Sequence, residues 1–199
     1  MNRKEQILNE AYEIKRTLIQ FLRRPMSEIK RVPEWPWPRL LALEVIVAGL
    51  TGSLASLILQ KSVVSAIFGF FFAPFVTLIT LAIMTLFFYY SFQIFAEKII
   101  SPRQIFTVVL FASIPQLILR IIDGYVPPIT LVGMAFTAFL MLVGFVENFQ
   151  IQKKMAIRLI GVLYAILLTI WIWNQVSSSR MESNWSHDRI EAPEVELGK

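Results

Sequence analysis

No residue between Ser62 and Ala96 carries a charge. A soluble domain cannot cover so long an apolar run, so part of this chain's solvent must be hydrocarbon. A helix rising about 1.5 Å per residue needs roughly 20 residues to cross about 30 Å of bilayer core, and two crossings would need about 40 plus a turn. The run therefore holds one span with an apolar lead-in. The lead-in falls at Val63 to Phe72 and the span at 74–95, because proline is favoured at a helix start and Pro74 stands there. Composition agrees: 56% of residues are hydrophobic against 17% charged, and the mean hydropathy is +0.61, which places the chain with integral membrane proteins. With no cysteine, disulfides, thiolate metal sites and a cysteine nucleophile are excluded.

Four further apolar runs give five spans in all, at about 39–59, 74–95, 104–122, 129–145 and 156–173. The expected fold is all-α: a polytopic membrane bundle of five transmembrane helices with an N-terminal amphipathic interfacial helix. Residues 1–38 form a basic cytoplasmic segment, 39–175 the membrane domain, and 176–199 a polar tail expected to be disordered. Small residues recur at helical spacing in the first span (Ala48, Gly52, Ser56, with Gly49 and Ser53) and the fourth (Thr130, Gly133, Thr137, Gly144), marking faces that admit another helix closely.

The third span sits in the middle of the sequence and is expected in the middle of the bundle. Its polar residues Ser113, Gln116, Arg120 and Asp123 fall within an arc of about 80° on one helix face. Such a stripe must face protein or water. Either it packs on neighbouring helices, with Arg120 and Asp123 paired one turn apart, or it lines a working polar cavity.

Before the first span, residues 3–24 place Ile7, Ala11, Ile14, Leu18 and Leu22 on one helical face and charges elsewhere. Glu10, Glu13, Lys15 and Arg16 prevent this helix from spanning. Lys15, Arg16, Arg23 and Arg24 suit anionic lipid or a protein partner; the alternative is a helix packed under the bundle or in a homo-oligomer. Pro25 ends it and Ser27 can cap a short second helix. Trp35 and Trp37, and Trp171 and Trp173 after the fifth span, are expected as interfacial anchors.

Fourteen of the 19 Lys and Arg residues fall on one side of a five-span path. The positive-inside rule then puts the N-terminus in the cytoplasm and the C-terminus outside, in the cell (inner) membrane. Glu97, Lys98, Arg103, Glu147, Lys153, Lys154 and Arg158 gather at the inner face, with Arg120 and Asp123 at the outer. Glu44, an intramembrane carboxylate, is a functional candidate by default. It is expected to pair with inner-face bases and not with Arg120.

Two passages carry a resemblance. FLRRPMSEIKRVPEWPWPRLL and IFAEKIISPRQIFTVVLFASIPQLI, the latter with Ala112, Ser113, Ile114 and Pro115 inside the third span, resemble the bacterial-type, five-span members of the Ypt-interacting-protein (Yip) family over roughly residues 22 to 175. A glycine pair common before the family's third span is replaced here by Ile100, Ser101 and Pro102. The resemblance implies a cytoplasm-facing N-terminus and a role as membrane organiser or adaptor. Eukaryotic relatives bind prenylated Rab-type GTPases and act in vesicle traffic; their long cytoplasmic N-terminal region is replaced by about 38 residues here.

Catalysis finds no foothold: the single histidine, His187, lies in the polar tail, and no zincin, nucleophile-elbow or phosphate-loop motif occurs. No catalytic residue, metal ligand or cofactor is expected, and the positive charge reads as topology and not as nucleic-acid binding. The expected partners are membrane lipids, a protein at the cytoplasmic face, or a second copy of the chain. The rival function is a small transporter or lipid-handling protein working through the polar face of the third span.

Overall fold

In a computed structural model the chain is described over residues 3–123, 125–126 and 129–190, all of it helix and connecting turns with no strand among those residues. It divides into two compact units, residues 1–160 and 161–199. Seven α-helices follow one another: α1 (Arg3–Arg23), α2 (Pro25–Glu28), α3 (Trp37–Gln60), α4 (Val63–Ala96), α5 (Pro102–Leu119), α6 (Ile129–Phe149) and α7 (Lys153–Ile190). Single 3₁₀ turns extend α2 through Ile29–Arg31 and α5 through Arg120–Ile122.

Among the described residues four helices are long and apolar enough to cross a membrane: α3, α4, α5 with its 3₁₀ turn, and α6. Prolines set two of their starts. Pro38 lies in the first turn of α3, and Pro102 opens α5 behind an extended Ser101. In that position proline forfeits only a donor that would have no helical partner. Three ends fall on left-handed residues, Lys61, Glu97 and Gln150. At the end of α4 the Glu97 N–H closes the helix by a six-to-one bond to the Phe92 carbonyl, which the Lys98 N–H also reaches at 3.2 Å.

The lead-in before Pro74 is not separate. α4 is one helix of 34 residues with Pro74 inside it, about 51 Å long at 1.5 Å per residue. In lipid, breaking a helix exposes backbone groups that water cannot rescue, so continuing through one proline costs less than stopping. The carbonyl that Pro74 leaves without a helical donor is that of Phe70, which lies against α3: a Cβ placed on Gly49 would stand 3.2 Å from it. A helix this long exceeds the hydrocarbon core and must tilt or protrude.

α5 is the axis of the first unit. Every residue from Ile105 to Ile114 is buried, and α3, α4, α6 and the 29–31 turn all pack on it. α3 and α4 form an antiparallel pair in which Gly52, Ser56, Gly69 and Ala73 meet: a Cβ on Gly52 would collide with that of Ala73 and stand 2.7 Å from the Gly69 carbonyl. The first-span seam thus has a counterpart on α4, at the same four-residue spacing. On the other side, Phe145 of α6 packs tilted against Phe88 and edge-on against Phe92 of α4, with ring centres 4.6 and 5.1 Å apart.

Residues 21–35 belong to this core. Phe21, Ile29 and Trp35 are buried, and the Phe21 and Trp35 rings lie 5.3 and 5.9 Å from that of Phe111 at the middle of α5. The boundary expected at residue 38 is therefore not a structural one. Ser27 lies within α2 instead of capping it; Arg24 occupies the cap position, without a side-chain bond, and Pro25 the first turn. In the second unit α7 continues helically to Ile190, through residues 176–190 of the expected disordered tail. After Gly161 the sequence has no glycine or proline until Pro193, so nothing local ends the helix. Residues 191–199 lie outside the described residues.

Candidate functional site

At the end of the bundle where α4 finishes and α5 begins, one amide of α6 holds the 29–31 turn and its C-terminal cap to that helix. Asn148 Nδ2 donates to the carbonyls of Ile29 at 2.8 Å and Gly144 at 2.7 Å, and its Oδ1 accepts the Val32 N–H at 3.2 Å. Gly144 makes room for this: a Cβ there would stand 2.6 Å from Val108 Cγ1 and 3.2 Å from Ile29 Cγ1. Lys98 Nζ donates to the carbonyls of Phe149 and Gln150, both at 2.9 Å, and so caps α6 with a positive charge where the helix dipole is negative.

The remaining charges expected at this end divide. Glu147 faces Lys30 at 4.0 Å, both half exposed, a pair worth little. Arg103 is half-buried and borders, with Glu34, Gln104 and Thr107, a small polar cavity of about 90 Å³. Glu97, Lys153, Lys154 and Arg158 are exposed. No ion pair joins any two members of the expected inner-face set among the described residues.

Glu44 departs from expectation. It is fully buried on α3, and neither carboxylate oxygen has a hydrogen-bond partner. The expected pairing with inner-face bases is absent. Arg39, five residues earlier and on another face of the helix, forks to Glu10 and Glu13 of α1, each at 3.2 Å. Two carboxylates three residues apart on α1 match the two arms of one guanidinium. Nothing local in the sequence points from residue 39 back to residues 10 and 13.

Two of the four stripe residues of the third span, Gln116 and Asp123, are met by α6. Gln116 Oε1 accepts the Thr137 hydroxyl at 3.2 Å, and Asp123 accepts that of Thr130. Gly133 lies flat against Gln116, 3.3 Å from its Cα to a hypothetical Cβ. Ser113 bonds within α5 to the Val109 carbonyl at 2.8 Å. The expected Arg120–Asp123 pair does not form; Arg120 is exposed and, with Asp123, borders a cavity of about 390 Å³ beside the Gly52–Gly69 crossing.

The expected anchors also separate. Trp35 is inside the core, whereas Trp37 is 43% exposed and leans on Phe106. Trp173 is exposed on α7, and the Trp171 side chain lies outside the described residues. Lys15, Arg16, Arg23 and Arg24 are all exposed.

Four long apolar helices and a core built along their axis make this a multi-pass integral membrane protein. The family model described as the Yip1 domain matches residues 19–174, and the chain belongs to that family. The match begins before the first span, at the segment that the structure packs onto α5. No curated protein and no solved structure matches the chain.

Proposed function

We propose that the protein is a non-enzymatic membrane organiser or adaptor. In this reading it has five spans, the fifth being the apolar part of α7, with the N-terminus in the cytoplasm and the C-terminus outside. The basic face of α1 then meets lipid headgroups or a protein partner at the cytoplasmic surface. One observation carries the reading: in the third span Gln116 and Asp123 bond to α6 and Ser113 bonds within its own helix, while Lys15, Arg16, Arg23 and Arg24 stay exposed. A chain that commits its interior polarity to structure and leaves a basic surface free is suited to binding and not to conduction or chemistry.

The test is in-cell crosslinking followed by purification of the full-length protein. A defined partner or lipid species should be recovered, and should be lost when Lys15, Arg16, Arg23 and Arg24 are all replaced by Gln. Unchanged recovery would remove the basic face from the mechanism.

The cavity bordered by Arg120 and Asp123 favours a second reading, a small transporter or lipid-handling protein. Flux in proteoliposomes that disappears on Arg120→Leu or Gln116→Leu would establish it. Absence of flux with ions, small solutes and lipids leaves the adaptor.

A further inference from the structure

The cavity of about 90 Å³ at the start of α5 lies between that helix, the end of α6 and the extended segment that follows the 29–31 turn. At this level two spans leave hydrocarbon, so its neighbours are headgroups. Most of its polar lining is committed within the protein. Asn148 spends its amide on Ile29, Val32 and Gly144, the Thr107 hydroxyl donates to the Arg103 carbonyl at 2.8 Å, and the Phe149 carbonyl accepts from Lys98. Three lining side chains are left over: Arg103 and Gln104, both half-buried, and the exposed Glu34. Among the described residues none of the three makes a side-chain hydrogen bond, and neither charge has an opposite one within 4.0 Å.

A guanidinium and a carboxylate that border one cavity without meeting define the two ends of a ligand. Arg103 suits a phosphate, which it can hold through paired N–H donors, and the Gln104 amide adds another donor. Glu34 suits an ammonium group. A simple anion would be repelled by Glu34, and water brings no charge to either end. Size narrows the choice further: at about 10–15 Å³ for each water-sized group the cavity holds roughly six to nine of them, far less than the roughly 300 Å³ at which drug-sized sites begin. We propose that this cavity binds phosphoethanolamine, with the phosphate on Arg103 and Gln104 and the ammonium on Glu34. Its level at the span ends makes phosphatidylethanolamine the source, the glycerol and acyl chains remaining outside. The proposal rests on the reading of this protein as a binder of lipid headgroups, and it adds a site apart from the basic face of α1.

Full-length protein is purified in mild detergent and exposed to an equimolar mixture of phosphatidylethanolamine, phosphatidylglycerol and phosphatidylcholine, and the retained lipid is counted by native mass spectrometry. Phosphatidylethanolamine should be retained over each of the others by about ten-fold, the scale of one charge-assisted hydrogen bond. Phosphatidylglycerol lacks the ammonium, and the methyl groups of phosphatidylcholine leave no N–H for Glu34. Soluble phosphoethanolamine separates the two sources: a lipid that it cannot displace at equal concentration is the ligand, whereas displacement keeps the site and makes the soluble ester a ligand as well.

Glu34→Gln, on an exposed segment, should erase the preference for phosphatidylethanolamine over phosphatidylglycerol while lipid is still retained through its phosphate. Arg103→Gln should abolish retention, and Arg103→Lys should restore part of it; should Arg103→Gln aggregate, Glu34→Gln alone decides. Replacing Lys15, Arg16, Arg23 and Arg24 by Gln should leave the preference intact. Equal retention of the three lipids by the unsubstituted protein, or a preference that Glu34→Gln and Arg103→Gln both leave unchanged, overturns the proposal. If that unchanged preference fell instead with the four α1 residues, the basic-face reading would stand without this site; if it did not, both would fall.

Discussion

Gly52→Ala is the sharpest perturbation of this fold, because it adds one methyl group at the closest approach of two spans. The new Cβ would stand 2.7 Å from the Gly69 carbonyl and collide with the Ala73 Cβ. Neither can rotate away, so α3 and α4 must part. Opening a packed seam by about 0.5–1 Å forfeits a quarter to a half of the dispersion energy of each contact across it. Overpacking of this kind costs about 1–3 kcal/mol, against a gain of about 1 kcal/mol from replacing a helical glycine by alanine. The backbone contact decides the sign, and we expect a net loss of up to about 2 kcal/mol. Gly161→Ala is the control: nothing lies within 4 Å of its Cβ position, so it should leave stability unchanged or raise it by up to about 1 kcal/mol. Both are read from SDS-driven unfolding in mixed micelles, followed by far-UV circular dichroism. A Gly52→Ala protein as stable as Gly161→Ala would refute the close-crossing argument.

Two further outcomes follow from the polar groups. Glu44→Met removes two buried acceptor oxygens that have no donor and should stabilise the fold by about 1–3 kcal/mol; lower stability in the same unfolding assay would mean the carboxylate has a partner within the bundle. Asn148→Leu strips the contacts to Ile29, Val32 and Gly144, at about 1–3 kcal/mol for the groups left unpaired. It should speed protease cleavage within residues 21–35, and unchanged cleavage would show that aromatic packing on Phe111 holds that segment unaided.

Much of the architecture was open to reading along the chain. Run length marks the spans because the bilayer demands a fixed number of apolar residues at a fixed rise. The seams at Gly52 and Gly133 were visible for a similar reason: small residues four apart leave a groove whichever helix fills it. The partner seam on α4, Gly69 and Ala73, carried the same signal and could have been found. The stripe on α5 was legible as a stripe, yet both its roles stayed open until Thr130, Gly133 and Thr137 were placed opposite it.

What the amino-acid order determined by itself is therefore what depends on near neighbours: helical periodicity, proline starts, and apolar runs too long for water. Tertiary structure alone decided the rest. Phe21 and Trp35 join the core because Phe111, far along the chain, stands between them. Asn148 ties residues 29 and 32 to α6 across more than a hundred residues of chain. Glu44 is buried without a partner, and Arg39 reaches back to Glu10 and Glu13. A hydrogen bond or ring contact is specified by position in space, and sequence separation places almost no limit on which residues share it.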